Sequence, residues 1–522
     1  MGGQPIRHHE MNFTSRKLNT VRNFIFISGS FLLNTLLSFA TRTVFISLLS
    51  SEYLGVNGLF SNILSILSLA ELGAGGAFVS LLYRPLANHD TEQLSSIMAA
   101  FQKVYFVISC TVGVVGVCLI PFLDLFTSGS TIPNLTLIFL LFLCNSMVTY
   151  FCAAKKALIN ADQKGYLITA YSQLAVIVQY VLQILVLFLT HNFMLYLCIQ
   201  ISCAIALNLY VSKKAKKIYP YLRKKAKSLT SSLQQEVRQK IAGGFCVHAG
   251  YIVASGTDSL VISHFLGLRV LGVYSNYLLI IGVVMKLSDM VINAVRASAS
   301  NLVVSSSEEV NYVFFRRLNF LIIIMLGFFG TCLITLLNPF ITVWVGIGYI
   351  MEMRLVVMAV IIYLSGWHGI KLSLAIYRNA MGLYYRDRYI SLLEGCLNLV
   401  LSLLLVKPFG LAGVFLGTIL SSVCTAISSA YLVYRYVFRR SAWEYWKTLI
   451  GYGLILTIVG CLVYLICGLI PHGTWLLFFM RASVCACLTL FCYLLIFNRT
   501  EEFKYFLMQT KCLLHHKGSA GC

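Results

Sequence analysis

EYLGVNGLFSNILSILSLAELGAGGAFVSLLYRPLANHDTEQLSSIM, residues 52–98, decides how this chain is to be read. From Tyr53 to Tyr83 it carries one acid, Glu71, and no base. Roughly 20 apolar residues at 1.5 Å rise cross ~30 Å of hydrocarbon, so the run is long enough for a membrane span. At about 100° per residue, Asn57, Ser61, Ser65, Ser68 and Glu71 share one stripe of such a helix. A membrane helix that is polar along one stripe turns it to a partner or to a water-filled cavity. From Arg84 the chain becomes polar again and reads as a connection.

Working outward, the same pattern recurs about fourteen times, over 22–50, 53–83, 94–120, 132–155, 165–190, 191–212, 241–267, 270–304, 310–337, 355–381, 388–406, 410–437, 446–470 and 473–497. The chain of 522 residues is 59% hydrophobic, with a mean hydropathy of +0.83. That composition excludes a soluble globular domain. The expected fold class is an all-α polytopic membrane protein. Its formal charge of +22 would point to nucleic acid in a soluble protein. Here Lys and Arg orient the chain instead, and no nucleic-acid partner is expected. One set of connections holds Arg16, Lys17, Arg22, Arg84, Lys155, Lys156, Lys164, Arg316, Arg317, Arg386, Arg388, Arg439, Arg440 and Lys447. The opposite set holds only Arg269, Arg354 and Lys407. The positive-inside rule therefore puts both termini in the cytoplasm, and an even number of spans agrees.

Residues 213–240, KKAKKIYPYLRKKAKSLTSSLQQEVRQK, set ten Lys/Arg against one acid, Glu236. This segment divides six spans from eight and reads as a basic cytoplasmic linker, a surface attractive to anionic lipid. The expected organisation is an N-terminal lobe over 1–212, the linker, and a C-terminal lobe over 241–437. Two further spans over 438–497 and a cytoplasmic tail over 498–522 complete it. The halves echo one another. TRTVFIS (41–47) parallels TDSLVIS (257–263), and YLGVNGLFSNI (53–63) parallels VLGVYSNYLLI (270–280). Further on, SLAELG (68–73) meets KLSDMV (286–291), so Arg42 falls opposite Asp258 and Glu71 opposite Asp289. A parallel repeat of this kind predicts lobes related by an axis along the membrane normal, with the substrate path at their interface.

Charges at membrane depth cost at least ~2.5–3.5 kcal/mol each and are kept for a use. Asn34, Ser38, Thr41 and Arg42 share a face of the first span, and His248, Ser255 and Asp258 a face of the seventh. Lys286, Asp289, Asn293, Arg296 and Ser300 form the eighth span's stripe, and His368, Lys371 and Arg378 the tenth's. Arg296 and Arg378 lie near cytoplasmic ends, from which long side chains snorkel to head groups. Arg42, Lys286 and Lys371 lie deeper. The candidate set for binding an anionic head group is Arg42, Lys286, Lys371, Arg296, Arg378 and His368. Arg grips phosphate oxygens in pairs and Lys supplies a mobile point charge, so a diphosphate suits them. Glu71, Asp258 and Asp289 are the candidates for charge pairing or for coupling to H+ or Na+, and both roles stay open.

Of the 17 cysteines, Cys512 and Cys522 lie in the tail and the other 15 inside apolar segments. None stands at a metal-ligand spacing, so neither a disulfide frame nor a zinc site is expected. Cys485 and Cys487 read as small apolar filler. Residues 1–20 are polar and the first apolar stretch runs on as a full span, so no cleavable signal is expected. The longest external connection, 338–354, has one acid, Glu352, among aromatic and aliphatic residues. A membrane glycosyltransferase or polymerase needs catalytic groups in such a loop. With no nucleotide-binding motif either, the chain is not expected to be an enzyme.

The opening segment resembles the second span and following loop of Wzx-type polysaccharide flippases, members of the multidrug/oligosaccharidyl-lipid/polysaccharide exporter (MOP) superfamily. The likeness lies in LG-x-x-GLF at 54–60, ELG-x-G at 71–75 and YRPLA at 83–87. GLAGVFLGT near 410–418, the span count and the basic linker extend it over nearly the whole chain. The resemblance implies two pseudo-symmetric six-helix lobes around a central cavity plus two C-terminal helices. It implies movement of an undecaprenyl-diphosphate-linked oligosaccharide across the bacterial cytoplasmic membrane, with Arg42, Lys286 and Lys371 as cavity cations. Glycosyltransferases and a polysaccharide polymerase would be its partners. A lipid II flippase is the near alternative. A drug/cation antiporter of the same superfamily fits less well, since the first span carries Arg42 and two spans are surplus.

Overall fold

The computed structural model describes residues 29–127, 132–162, 164–223, 231–305, 307–366, 369–381, 384–471 and 473–515. Every regular element among these residues is a helix. The first is α1 (Gly29–Leu48). It is followed by α2 (Ser51–Leu67), α3 (Leu69–Ala87), α4 (Thr91–Leu119), α5 (Leu123–Thr127), α6 (Leu135–Tyr150), α7 (Ala153–Ala161), α8 (Tyr166–Thr190) and α9 (Phe193–Ile218). The later elements are α10 (Ser231–Leu266), α11 (Leu268–Ser305), α12 (Glu308–Trp344), α13 (Met353–Ser365), α14 (Lys371–Ala380) and α15 (Tyr384–Phe409). Then come α16 (Leu411–Val433), α17 (Trp443–Gly468), α18 (Trp475–Phe497) and α19 (Glu501–His515).

Among the described residues, 11 helices are long and apolar enough to cross a membrane. The remaining predicted spans are 53–83, 241–267 and 355–381. Segment 241–267 lies inside α10, which starts ten residues earlier and so takes in the end of the linker. The other two are corrections to the expectation of single helices. At Ser68 the hydroxyl bonds the Ser65 carbonyl (2.7 Å), and the Glu71 N–H reaches back only to Ser68 (2.9 Å). This tight three-residue closure parts α2 from α3, because serine competes locally for backbone bonds. In 355–381 the helix stops at Ser365, and the Ile370 N–H wraps back to the Leu364 carbonyl (2.9 Å). Gly366 and Gly369 weaken a helix there by roughly 1 kcal/mol each relative to alanine.

The helices form two compact units that do not follow chain order. The first holds 1–50, 78–117 and 134–230. Within it α9 packs on α6, α7 and α8. Asn192 starts α9 by accepting the N–H groups of Met194 and Leu195. Phe45, Phe193 and Tyr196 make edge-on and stacked ring contacts inside this unit, and Phe78 stacks on Phe101 (4.4 Å). The buried Asn208 amide donates to the Val148 carbonyl (2.6 Å), joining α9 to α6. Just beyond α9, Tyr219 donates to Asp162 (2.7 Å), and burial together with that carboxylate pushes its phenol well above its ordinary range.

The second unit holds 51–77, 118–133 and 231–522. An α15–α16 hairpin and α10 form its most intimate packing. Helices α17 and α18 lie against α12. Around that contact Phe320, Val459, Val463, Cys467, Cys485, Tyr493 and Phe497 form one buried apolar cluster. Helix α2 packs on α10 and α11. Here Gly55 and Gly272, the matching glycines of the repeated LGV triplets, cross in van der Waals contact. A Cβ on Gly55 would enter the Leu268 carbonyl, and one on Gly272 the Ser51 carbonyl. Two turns along α2, the Asn62 amide donates to the Ser259 hydroxyl of α10 (2.7 Å).

Candidate functional site

Two polar nests inside the second unit hold the candidate chemistry. The first gathers on Asp258 of α10. Its Oδ2 accepts the Thr418 hydroxyl of α16 (2.9 Å), and its buried Oδ1 has no hydrogen-bond partner. Asn398 of α15 completes the ring. Its amide donates to the Thr418 hydroxyl (2.9 Å) and its Oδ1 accepts from Thr257 (3.1 Å). Thr418 carries a single proton and bonds both Asp258 and the Val414 carbonyl (3.1 Å), so one contact goes unfilled at any instant. The result is a buried carboxylate with one oxygen unpaired among the described residues, beside the Thr418 hydroxyl and the Asn398 amide. Buried carboxylates in that condition are costly, and a proton or a small monovalent cation relieves the cost.

The second nest is closed. Lys371, 3% exposed at the start of α14, donates to Glu394 (2.7 Å) and to Thr425 (2.9 Å). A cation at a helix N-terminus is disfavoured by the helix dipole, and Glu394 offsets that. Thr425 in turn bonds the Ser421 and Ser422 carbonyls, and Ser422 donates to the Ser365 carbonyl (2.8 Å) at the break before α14. Two turns on, buried Arg378 donates to Ser429 (3.1 Å). Ser373 donates to Asn319 (2.8 Å), and Tyr377 to the Asn311 carbonyl (2.9 Å). Nearly every polar group on this short helix is thus tied to a neighbouring helix.

The other predicted residues are more dispersed. Arg42 is half-buried on α1 in the first unit, and Glu71 is half-buried in α3. Asp289 is half-buried on α11 beside Ser288, which pairs with the Tyr363 hydroxyl (2.8 Å). Lys286 is exposed on α11 and makes no hydrogen bond or ion pair with any described residue. Lys371 and Lys286 therefore occupy opposite environments: one is locked in protein, the other is open. His368 and the side chains of His248, Asn293, Arg296 and Ser300 fall outside the described residues. Glu394, Asn398, Thr418 and Thr425 were not singled out from the sequence. A signal for two of these positions was present. Glu394, Asn398 and Ser402 recur every four residues and form a polar stripe on α15 like those that flagged the other spans.

No protein-family model and no curated protein matches the chain. Solved structures do. The structure aligns with an inward-facing multidrug resistance transporter of the MATE family, MOP superfamily, at a TM-score of 0.57 and 14% identity, over 76% of this chain and 92% of that one. It aligns with the lipid II flippase MurJ in an inward closed conformation at 0.65 and 15%, over 91% of this chain and 99% of that one. The MATE multidrug transporter DinF-BH gives 0.55 and 16%, over 80% and 95%. The chain has the fold of these transporters. It is a multi-pass membrane protein of that architecture, as the span pattern led us to expect. At these identities the likeness concerns backbone and not cargo.

Proposed function

We propose that this protein is a flippase that carries an undecaprenyl-diphosphate-linked oligosaccharide from the inner to the outer leaflet of the bacterial cytoplasmic membrane. Both termini would lie in the cytoplasm, and the oligosaccharide would leave for polysaccharide assembly. The observation that carries the reading is the extent of the fold match. It spans 91% of the chain against a lipid II flippase, but 76% and 80% against two multidrug transporters. The resemblance of residues 52–98 to polysaccharide flippases supports the choice of cargo. Arg42 and Lys286 are the cations we assign to the diphosphate. Exposed Lys286 can meet a phosphate without breaking an existing bond, whereas Lys371 and Arg378 serve helix packing. Asp258 is the residue we assign to coupling, through H+ or Na+ at its vacant oxygen.

Moving a diphosphate through hydrocarbon bare would cost many kcal/mol, so the protein must replace its hydration shell. Rocking of helix bundles about a bound head group does this while the polyprenyl tail stays in lipid. The deciding experiment is to deplete the protein in cells and analyse the membrane lipids by mass spectrometry. A polyprenyl-diphosphate oligosaccharide should accumulate on the inner leaflet. Accumulation of lipid II alone would select the lipid II reading, which the MurJ likeness favours. No accumulated diphosphate lipid would reject both.

A further inference from the structure

At the end of the second unit that the orientation above places in the cytoplasm, a cavity of ≈240 Å³ opens between the first turns of α12, α17 and α19. Arg316 closes one wall by pairing with Glu502 (2.6 Å), and the Tyr312 hydroxyl donates to Glu444 (2.7 Å). Two charges are left over. Among the described residues Lys447 has no hydrogen-bond or ion-pair partner, and Glu444 has no cation within ion-pair distance. The neighbouring Arg440 is paired with Glu309 (2.7 Å) and seated over the Tyr312 ring (4.0 Å). Lys447 and Glu444 stand one helical turn apart on α17, near enough to meet, and both line the cavity instead. The rings of Tyr312, Tyr434 and Tyr452 wall the space between them. Trp443, on the same first turn of α17, is exposed, as residues at the membrane interface are.

Below this cavity lies a second one of quite different character. It holds ≈610 Å³ and is lined almost wholly by apolar side chains and by Gly327, Gly330, Gly453 and Gly460. It continues the same stripe, since Asn319 of the upper cavity leads along α12 to Ile323, Leu326 and Gly330 of the lower one. A charged chamber at interface height above an apolar trough matches one lipid: a polar head and its acyl chain.

We propose that the pair of cavities binds a glycerophospholipid with a phosphoethanolamine head group, drawn from the cytoplasmic leaflet. The phosphate sits on Lys447 and on the Arg316 N–H groups not used by Glu502. The primary ammonium donates to Glu444 and lies against the Tyr452 ring, the Tyr312 ring being covered by Arg440. The Glu–Lys pairing selects this class. A purely anionic head would face Glu444 unfavourably, and a quaternary ammonium has no hydrogen to give it. None of Arg42, Lys286 and Asp258 lines either cavity, and the proposal does not depend on which oligosaccharide is moved.

Native mass spectrometry of the full chain, purified with a mixture of phosphatidylethanolamine, phosphatidylglycerol and phosphatidylcholine, tests it. A retained phosphatidylethanolamine adduct is expected, weakened roughly tenfold or more by Glu444→Gln and by Lys447→Gln, since each removes a charged hydrogen bond. Free phosphoethanolamine should leave the adduct in place, because it lacks the chain. Both altered side chains are exposed, so the lipid-free melting temperature should not move, and it serves as the folding control. Three results would overturn the proposal: equal retention of phosphatidylglycerol, an adduct indifferent to both substitutions, or displacement by the soluble head group. Preferential capture of a polyprenyl diphosphate would do the same.

Discussion

Asp258 and Glu394 are acids on two packed helices of the same unit, and the fold treats them in opposite ways. Glu394 is saturated: Lys371 neutralises it, and Thr425 satisfies the lysine in turn. Asp258 receives one hydroxyl and keeps an oxygen empty. The difference separates two uses of charge inside a membrane. A saturated pair fastens helices together and is silent towards ligands. An unsaturated acid fastens its helices less, here through one hydroxyl, and leaves an oxygen for a cation or a proton. Position along the sequence does not distinguish the two; only the partners do.

The sharpest way to break the comparison is to remove one half of the closed pair. Lys371→Ala strands a buried Glu394, which should cost about 3–5 kcal/mol. The melting temperature in detergent should fall steeply. The double variant Lys371→Met with Glu394→Leu should recover most of it, because replacing both charges leaves nothing stranded. If the single and double variants melt alike, the pair is not what holds α14 in place. Next in size is the glycine crossing. Gly272→Ala drives a methyl into the Ser51 carbonyl, and overpacking of that kind costs ~1–3 kcal/mol. The same loss should follow from Gly55→Ala.

Asp258→Asn should behave in the reverse manner to Lys371→Ala. It removes a charge with no counter-ion, so the fold should melt no lower than the parent. Its effect should appear in transport by reconstituted vesicles, where dependence on a sodium or proton gradient should disappear. A drop in stability with gradient dependence intact would assign Asp258 to packing. Smallest in stability terms is Lys286→Gln, within about 0.5 kcal/mol as for other exposed substitutions. Export should nevertheless fall, measured as surface polysaccharide at matched protein level. Unchanged export would remove Lys286 from the head-group role.

Span positions were legible in the sequence because hydropathy over 20 residues is a strong, local signal. Breaks at Ser68 and at Gly366–Gly369 were less so, since a run of apolar residues hides a turn made by one serine or two glycines. The polar stripes singled out Asp258 and Lys371 but not the residues they bond. Lys371 was weighed against Glu71, Asp258 and Asp289, and it bonds Glu394, 23 residues further along. Facing residues of two helices are chosen by rotation about their axes, and one sequence does not encode that angle in any short window. The stripe of Glu394, Asn398 and Ser402 could have been found by applying the same period to every span. That Glu444 and Lys447 do not pair with each other could not, since one turn of spacing on a helix ordinarily reads as a surface ion pair.

The Gly55–Gly272 contact ties the two repeated triplets to each other's spelling. A single residue inserted ahead of either one would swing its glycine about 100° around the helix and present a bulkier neighbour to the opposing carbonyl. Homologues should therefore vary freely in the length of most connections, yet keep the turns before α2 and before α11 at constant length. Any lineage that has lengthened one of them should show a compensating change in the other.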